Sequence, residues 1–302
     1  MRRIDGNPFN QNNLNSVQNL IISESSQFRP DVIWFEKPLM VLPETLAYLK
    51  KIFPRTKLIC RQDDNPFSLR DKESGYWKYF INSIPLYDLH FIKRDSDIVN
   101  FTNLGGKNLN YYWVGYDAKF YYPQTTYYLQ KKDLDFSFVG TNLDDRGLFL
   151  TTLQKELKTD KFFISGARWN RSLLRYRFPN QVSSKLLDDD ELRNIFQRSH
   201  ACLGLFCKSN GDEFSGRAFM IAGCGSTIVA PRSPMHEIFF EDKKEAFYYD
   251  STEQCIEIIR NLIANPCLGE IVSKNASIRS NSDGYSIDNR MIKALSDISY
   301  LL

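Results

Sequence analysis

Short apolar runs recur along this chain, and most are followed by a stretch of helical period. The first part carries "PDVIWFEK" (30–37), "TKLICRQDD" (56–64), "LHFIKR" (89–94) and "NLNYYWVGYD" (108–117). The second carries "LDFSFVG" (134–140), "KFFISG" (161–166), "HACLGLF" (200–206) and "GSTIVAP" (225–231). Continuous apolar runs this short suit strands buried on both faces. Between them lie candidate helices at 42–54, 75–88, 96–105, 146–157, 188–199 and 215–223. Pro43 suits a first helical turn, Ser96 an N-cap and Gly105 a stop. Strand–helix alternation of this kind predicts parallel βαβ units, an α/β fold.

The rhythm breaks at "DAKFYYPQTTYYLQKKD" (117–133), a polar-aromatic stretch with Pro123 that reads as a linker. Beyond it the alternation restarts and runs through "TEQCIEIIRNLIANP" (252–266) to a last helix near 285–300. With 302 residues the chain has enough length for two cores. The expected domains are residues 1–122 and 133–302. Residues 1–15 are polar and Asn-rich and read as poorly ordered, ahead of a weak helical pattern at 14–27.

Composition narrows the function classes. Net charge is +3, from 39 basic and 36 acidic residues, too balanced to argue for a nucleic-acid partner. The longest apolar runs fall far short of the ~20 residues that a membrane span needs. The N-terminal "MRRIDGNPFNQNNLN" has no apolar core and does not read as a secretory signal. Six scattered cysteines make no CxxC pair, and with three histidines there is no metal-ligand spacing. The expectation is reduced thiols in a cytoplasmic protein without a bound metal.

In an open α/β sheet, ligands bind beyond the carboxyl ends of the strands. Gly140 and Gly166 each end a candidate strand, where backbone can approach a ligand closely. "SGR" (215–217) opens a helix and brings Gly216 and Arg217 to its N-terminus, a seat for a phosphate or diphosphate. Ordinary turn-forming is the competing reading for these glycines.

Several segments together resemble glycosyltransferases of the GT-B fold, in particular the spore-maturation (CgeB-like) group. They are "DFSFVG" (135–140), "FFISGARW" (162–169), "RAFMIAGCGSTIVA" (217–230), "HEIFFEDKKEAFYYDSTEQCIEIIRNLIANP" (236–266) and "GYSIDNRM" (284–291), joined in the first half by 30–50, "DDNP" (63–66) and "PLYDLHF" (85–91). The resemblance implies two Rossmann-like domains facing a cleft. It implies a nucleotide-sugar donor on the C-terminal domain and a glycan or small-molecule acceptor met by the N-terminal one. It also implies a metal-independent transferase with no permanently bound cofactor. Two departures stand out. The family reads Arg-x-Phe-Glu where this chain has Arg217-Ala218-Phe219-Met220, so Met220 replaces an acid expected at the donor ribose. An earlier acid of related enzymes falls on Asp212, beside Glu213. The usual glycine-rich first strand is missing, which implies a shortened N-terminal domain.

The candidate site follows. Arg217 is the diphosphate contact or one half of a surface salt bridge, and Arg146 either meets phosphate or begins a solvated helix. Arg168 and Trp169 follow Gly166, where Trp169 either stacks on a nucleobase or packs in the core. Glu213 is a substitute acid or a loop carboxylate, and His236 and Glu237 lie on the donor side. Asp63 and Asp64 position the acceptor or act as a base, or cap the following turn. His90 reads as a packed core histidine or a catalyst. A weak or inactive relative, acting as a binding or assembly partner, is the alternative to an active transferase. A dinucleotide reductase is disfavoured, because no GxGxxG follows the first strand.

Overall fold

The computed structural model describes residues 9–68, 75–123 and 132–302. Residues 1–8 of the Asn-rich terminus and 124–131 of the polar-aromatic stretch lie outside the described residues. The chain divides into two compact units. One comprises Met1–Trp113, Ser209–Gly211 and Met291–Leu302; the other comprises Val114–Lys208 and Asp212–Arg290.

The first unit holds α1 (Gln11–Phe28), β1 (Val32–Glu36), α2 (Pro43–Ile52), β2 (Lys57–Arg61), α3 (Lys78–Ser83), β3 (Leu89–Ile92), α4 (Asp95–Asn103) and β4 (Leu109–Tyr111). Its four strands pair in chain order, all parallel. Leu46, Leu49, Leu58, Phe80, Ile84 and Phe101 fill the core on one side of this sheet. α1 begins at Gln11, where Asn10 accepts from the backbone N–H of Asn12. The asparagines at 12, 13 and 15 are therefore inside a helix.

The second unit holds β5 (Leu134–Val139), α5 (Arg146–Leu157), β6 (Phe162–Ser165), α6 (Leu173–Arg177), β7 (Val182–Ser183), α7 (Asp189–Arg198), β8 (Ser199–Leu203), α8 (Arg217–Gly223), β9 (Ile228–Pro231), α9 (Pro234–Phe239), β10 (Phe247–Tyr249), α10 (Thr252–Ala264) and α11 (Pro266–Ser282). α12 (Ile287–Ser299) starts in this unit and ends in the first. The sheet is parallel in the order β10-β9-β8-β5-β6-β7. Counted from β5, that is the 3-2-1-4-5-6 order of a doubly wound Rossmann sheet. Both faces of β5 are covered: Phe136, Ser137, Phe138 and Val139 are all buried. Phe136 pairs in register with Phe162, and their rings stack at 5.3 Å. The fold is α/β with two parallel sheets, each Rossmann-like.

Val114–Tyr122, grouped with the N-terminal half on sequence, packs with the second unit. The Tyr116 backbone bonds to Tyr285 and Ile287, and the Tyr121 hydroxyl reaches Asp189. Two buried tyrosines hold this stretch where its polar composition suggested a linker.

Candidate functional site

Strand order in the second unit reverses between β5 and β8, so the loops after Val139 and Leu203 flank a crevice at the carboxyl edge. Gly140 is where several groups meet. Its N–H donates to Ser165 O at 2.8 Å, and its carbonyl accepts from Trp169 Nε1 at 2.7 Å. A Cβ on Gly140 would lie 2.9 Å from Arg217 Nη1 and 2.8 Å from Phe138 Cζ. Gly166 has φ 128° and backs onto the same carbonyl, where a Cβ would come within 2.5 Å of it. Neither position has room for a side chain. Trp169 itself is fully buried. With no exposed face, the indole packs in the core and offers a nucleobase nothing to stack on.

Arg146 opens α5 but is not solvated. It is buried, donating to Thr141 O at 2.9 Å and to Leu205 O at 3.2 Å, so it ties the loop after β5 to the segment after β8. Its Nε is buried without a partner. Arg217 is half-buried, and its Nε is likewise buried and unpartnered. Desolvation and the Arg146 charge lower the Arg217 guanidinium to about 10. Burial also lowers Arg146, against the opposing pull of nearby groups including Asp144, Asp212 and Asp145. Two neighbouring guanidiniums, one of them without a carboxylate partner among the described residues, form a site of unbalanced positive charge. α8 has only seven residues and Gly216 before it is exposed, so the charge comes chiefly from side chains rather than from helix peptides.

His236 supports this corner from behind. Its ring is buried, Nδ1 bonds to Pro231 O at 2.8 Å, and Nε2 accepts from the Ser215 N–H at 3.3 Å. Burial lowers its pKa to about 4, so the ring is neutral. It joins the end of β9 to the residues before Arg217 and has no free nitrogen for a sugar. Glu213 is exposed, and its carbonyl accepts from the Ser233 hydroxyl. Glu237 pairs with Arg232, which also holds Asp242 at 2.8 Å and Asp250 at 3.1 Å. Met220 is half-buried, one turn on from Arg217.

Beside Arg146 lies a pocket of about 360 Å³ at the ends of β8, β9 and β10, lined among others by Arg146, Phe149, Phe206, Lys208, Arg232 and Tyr249. Phe149 and Tyr249 stack at 5.7 Å, and Lys208 Nζ pairs with Asp145 at 2.9 Å. Aromatic walls with a few charged groups are the common make-up of a small-molecule site. Sequence reading missed Phe149, Phe206, Arg232 and Tyr249. The available signal was position, since each lies on or just beyond the carboxyl edge. Among the described residues, no group of three His, Cys, Asp or Glu side chains is placed to hold a metal ion.

The glycosyl transferase-like family matches residues 146–296, half of the chain, which takes in Arg146, Gly166 and Arg217 and leaves out β5 and Gly140. The chain belongs to the glycosyl transferase-like family. No curated protein matches it by sequence. Among solved structures it is similar to sucrose-phosphate synthase of Thermosynechococcus elongatus (TM-score 0.72, 12% identity, 95% of this chain and 78% of that one). It is also similar to Anabaena HepE in complex with UDP (TM-score 0.66, 12% identity, 94% and 82%). A third is a glycosyltransferase from Rickettsia africae ESF-5 (TM-score 0.65, 9% identity, 98% and 83%). At these identities the likeness is one of fold.

In this glycosyl transferase-like chain, the first unit's candidates are held by ion pairs or by the core. Arg61 Nη2 meets Asp63 at 2.8 Å, and Arg94 donates to the Asp63 carbonyl at 2.6 Å. Asp64 pairs with Lys37. Both carboxylates stand just past the carboxyl end of β2. His90 is elsewhere: it is fully buried, bonded to Ile84 O at 2.9 Å and packed edge-on against Tyr87 and Phe101. Burial takes its pKa down to about 4. No ring atom is open to a substrate, which leaves it a core residue. Arg168 is exposed next to the Asn142 loop and does not join the Arg146–Arg217 pair. No helix among the described residues is long and apolar enough to cross a membrane.

Proposed function

We propose that this chain transfers a sugar from a nucleoside-diphosphate sugar to a glycan or small-molecule acceptor, with the donor held by its second unit. The observation that carries the reading is the Arg217 guanidinium. It is desolvated, has no carboxylate partner among the described residues, and stands beside Arg146 at the switch point of a Rossmann sheet. An anion is what such a group lacks. When the bond from the sugar carbon to the donor phosphate breaks, negative charge collects on the diphosphate, and Arg217 stabilises it where it forms. Arg146 adds its field while holding the two loops in place. No step in this scheme requires a metal.

The aromatic pocket suits the nucleoside, and HepE, bound to UDP, makes uridine the first nucleoside to test. Asp63 and Asp64 are the acceptor-side candidates of the first unit, and the CgeB-like group is the subfamily the motif order favours. Titration calorimetry with UDP, GDP, ADP and CDP, followed by release of nucleoside diphosphate from the matching sugar donors, tests the proposal. Saturable binding of one nucleotide with slow donor hydrolysis supports it. Binding without any turnover would favour the non-catalytic alternative, for which Met220 is the specific reason; no binding of any nucleotide would refute the transferase reading and leave only a protein-binding or assembly role.

A further inference from the structure

Residues 168–187 carry five basic side chains and no acidic one, in a chain that is otherwise nearly balanced. The segment runs from the end of β6 through α6 to the start of α7, and it is firmly anchored. Trp169 and Leu174 are buried, and Phe178 packs edge-on against Phe162 at 5.2 Å. The Ser172 hydroxyl accepts from the Arg175 N–H at 3.0 Å, and Arg175 Nη1 donates to Val182 O at 2.6 Å. Because the inward positions are fixed, the outward ones are fixed too. Leu173 is 75% exposed and Tyr176 is 87% exposed, one turn apart on α6. In sequence Arg171 and Arg177 flank them and Arg168 precedes Leu173 by five residues, all three exposed. None of the three guanidiniums pairs with a carboxylate among the described residues. Lys185 is spoken for by Glu191.

We infer that this face of the second unit seats the protein on an anionic lipid surface. The charge pattern selects negative headgroups, which three unpaired arginines can meet at once. The apolar pair decides between a membrane and a soluble polyanion. A tyrosine can stack on a nucleobase, but an exposed leucine gains nothing from a nucleic acid or an acidic glycan in solution, whereas both gain at the boundary between headgroups and acyl chains. The segment neither spans the bilayer nor needs to. It is a surface contact of a few side chains, so binding is reversible and depends on salt. The inference is independent of nucleotide binding, and its test contains no nucleotide.

The test is flotation of the full chain with phosphatidylcholine vesicles, with and without about one-third phosphatidylglycerol. Binding is expected only with the anionic lipid, and it is expected to vanish at high salt, where screening reaches within a few ångströms (~3 Å at 1 M). Arg171→Ala with Arg177→Ala should weaken partitioning about fivefold per arginine, about 30-fold for the pair. Leu173→Ser with Tyr176→Ser should weaken it at least about tenfold, from the apolar area no longer buried. All four positions are exposed, so melting curves should match wild type. Lys274→Ala with Lys293→Ala removes the same charge outside the segment and should change partitioning far less. No binding to anionic vesicles, or binding unchanged in both segment variants, overturns the inference. So does binding that heparin captures equally well and that ignores Leu173 and Tyr176, since that pattern belongs to a soluble polyanion.

Discussion

Arg217→Ala is expected to lose nucleotide affinity while the fold loses no stability. The Arg217 guanidinium is lowered from the ordinary arginine value to about 10 by desolvation and by the Arg146 charge. That corresponds to ~3 kcal/mol against the charged form. Because the side chain is half-buried and partly screened, about 1 kcal/mol is the more realistic gain on removing it. The sign follows from proton binding. A base whose pKa is lowered on folding carries its penalty in full at every pH below its folded value, here about 10, so an assay at pH 7.5 sees all of it. Alanine forfeits the packing of the arginine stem, which offsets part of the gain. The net expectation is a melting temperature unchanged or raised by a few degrees (about 2–4 °C per kcal/mol at this size). For the nucleotide, a hydrogen bond to a charged group contributes about 1.5–3 kcal/mol, so Kd for UDP should rise about 10- to 150-fold. Calorimetry with UDP and thermal unfolding without it read the two effects separately. A variant that melts several degrees lower and binds UDP as before would show Arg217 to be an ordinary structural arginine and would refute the reasoning.

Further predictions concern the glycines, the histidines and Met220. Gly166→Ala places a Cβ 2.5 Å from the Gly140 carbonyl at φ 128° and should cost about 3 kcal/mol or more. Gly140→Ala meets the movable end of Arg217 and the Phe138 ring, and should cost about 1–3 kcal/mol. Urea unfolding that ranks the two in the opposite order would contradict the packing described. His90 and His236 both fall to about 4 on burial, so the unfolded chain takes up protons first as pH drops. Their contribution is present in full above pH 6.5 and is lost toward pH 4, at up to about 1.4 kcal/mol per pH unit for each. Stability should therefore fall between pH 7.5 and pH 5, with a shallower slope in His90→Gln and His236→Gln; equal slopes would argue that neither ring is buried neutral. Met220→Glu restores the acid of the family pattern and should raise donor hydrolysis by about tenfold, the worth of one hydrogen bond to a charged group. An unchanged rate would remove position 220 from sugar recognition.

The strands that position this site were legible because parallel strands buried on both faces leave continuous apolar runs, as at Phe136–Val139 and Phe162–Ser165. Elements without that signature were missed. β7 has two residues and β10 three, too few to show a period. α11 buries Gly269, Ser273, Ala276, Ser277 and Ser280, small residues that give a close-packed helix face with little hydrophobic contrast. Gly140 and Gly166 stood out as strand-ending glycines, and the structure supplies the reason, a backbone carbonyl and a guanidinium where a Cβ would go. His236 shows the opposite limit. Residue type and position suggested contact with the donor, whereas both ring nitrogens serve backbone groups. Nothing in the letters tells a histidine that binds a ligand from one that braces the loop behind it.

A crystal structure of the full chain with UDP, or with whichever nucleoside diphosphate binds in calorimetry, is the most direct test of donor binding in the second unit. The expected result is a diphosphate at charge-assisted hydrogen-bond distance (~2.7–2.9 Å) from the Arg217 guanidinium, with the nucleoside in the pocket walled by Phe149 and Tyr249. A diphosphate bound away from Arg217, or a nucleoside outside that pocket, would contradict the assignment.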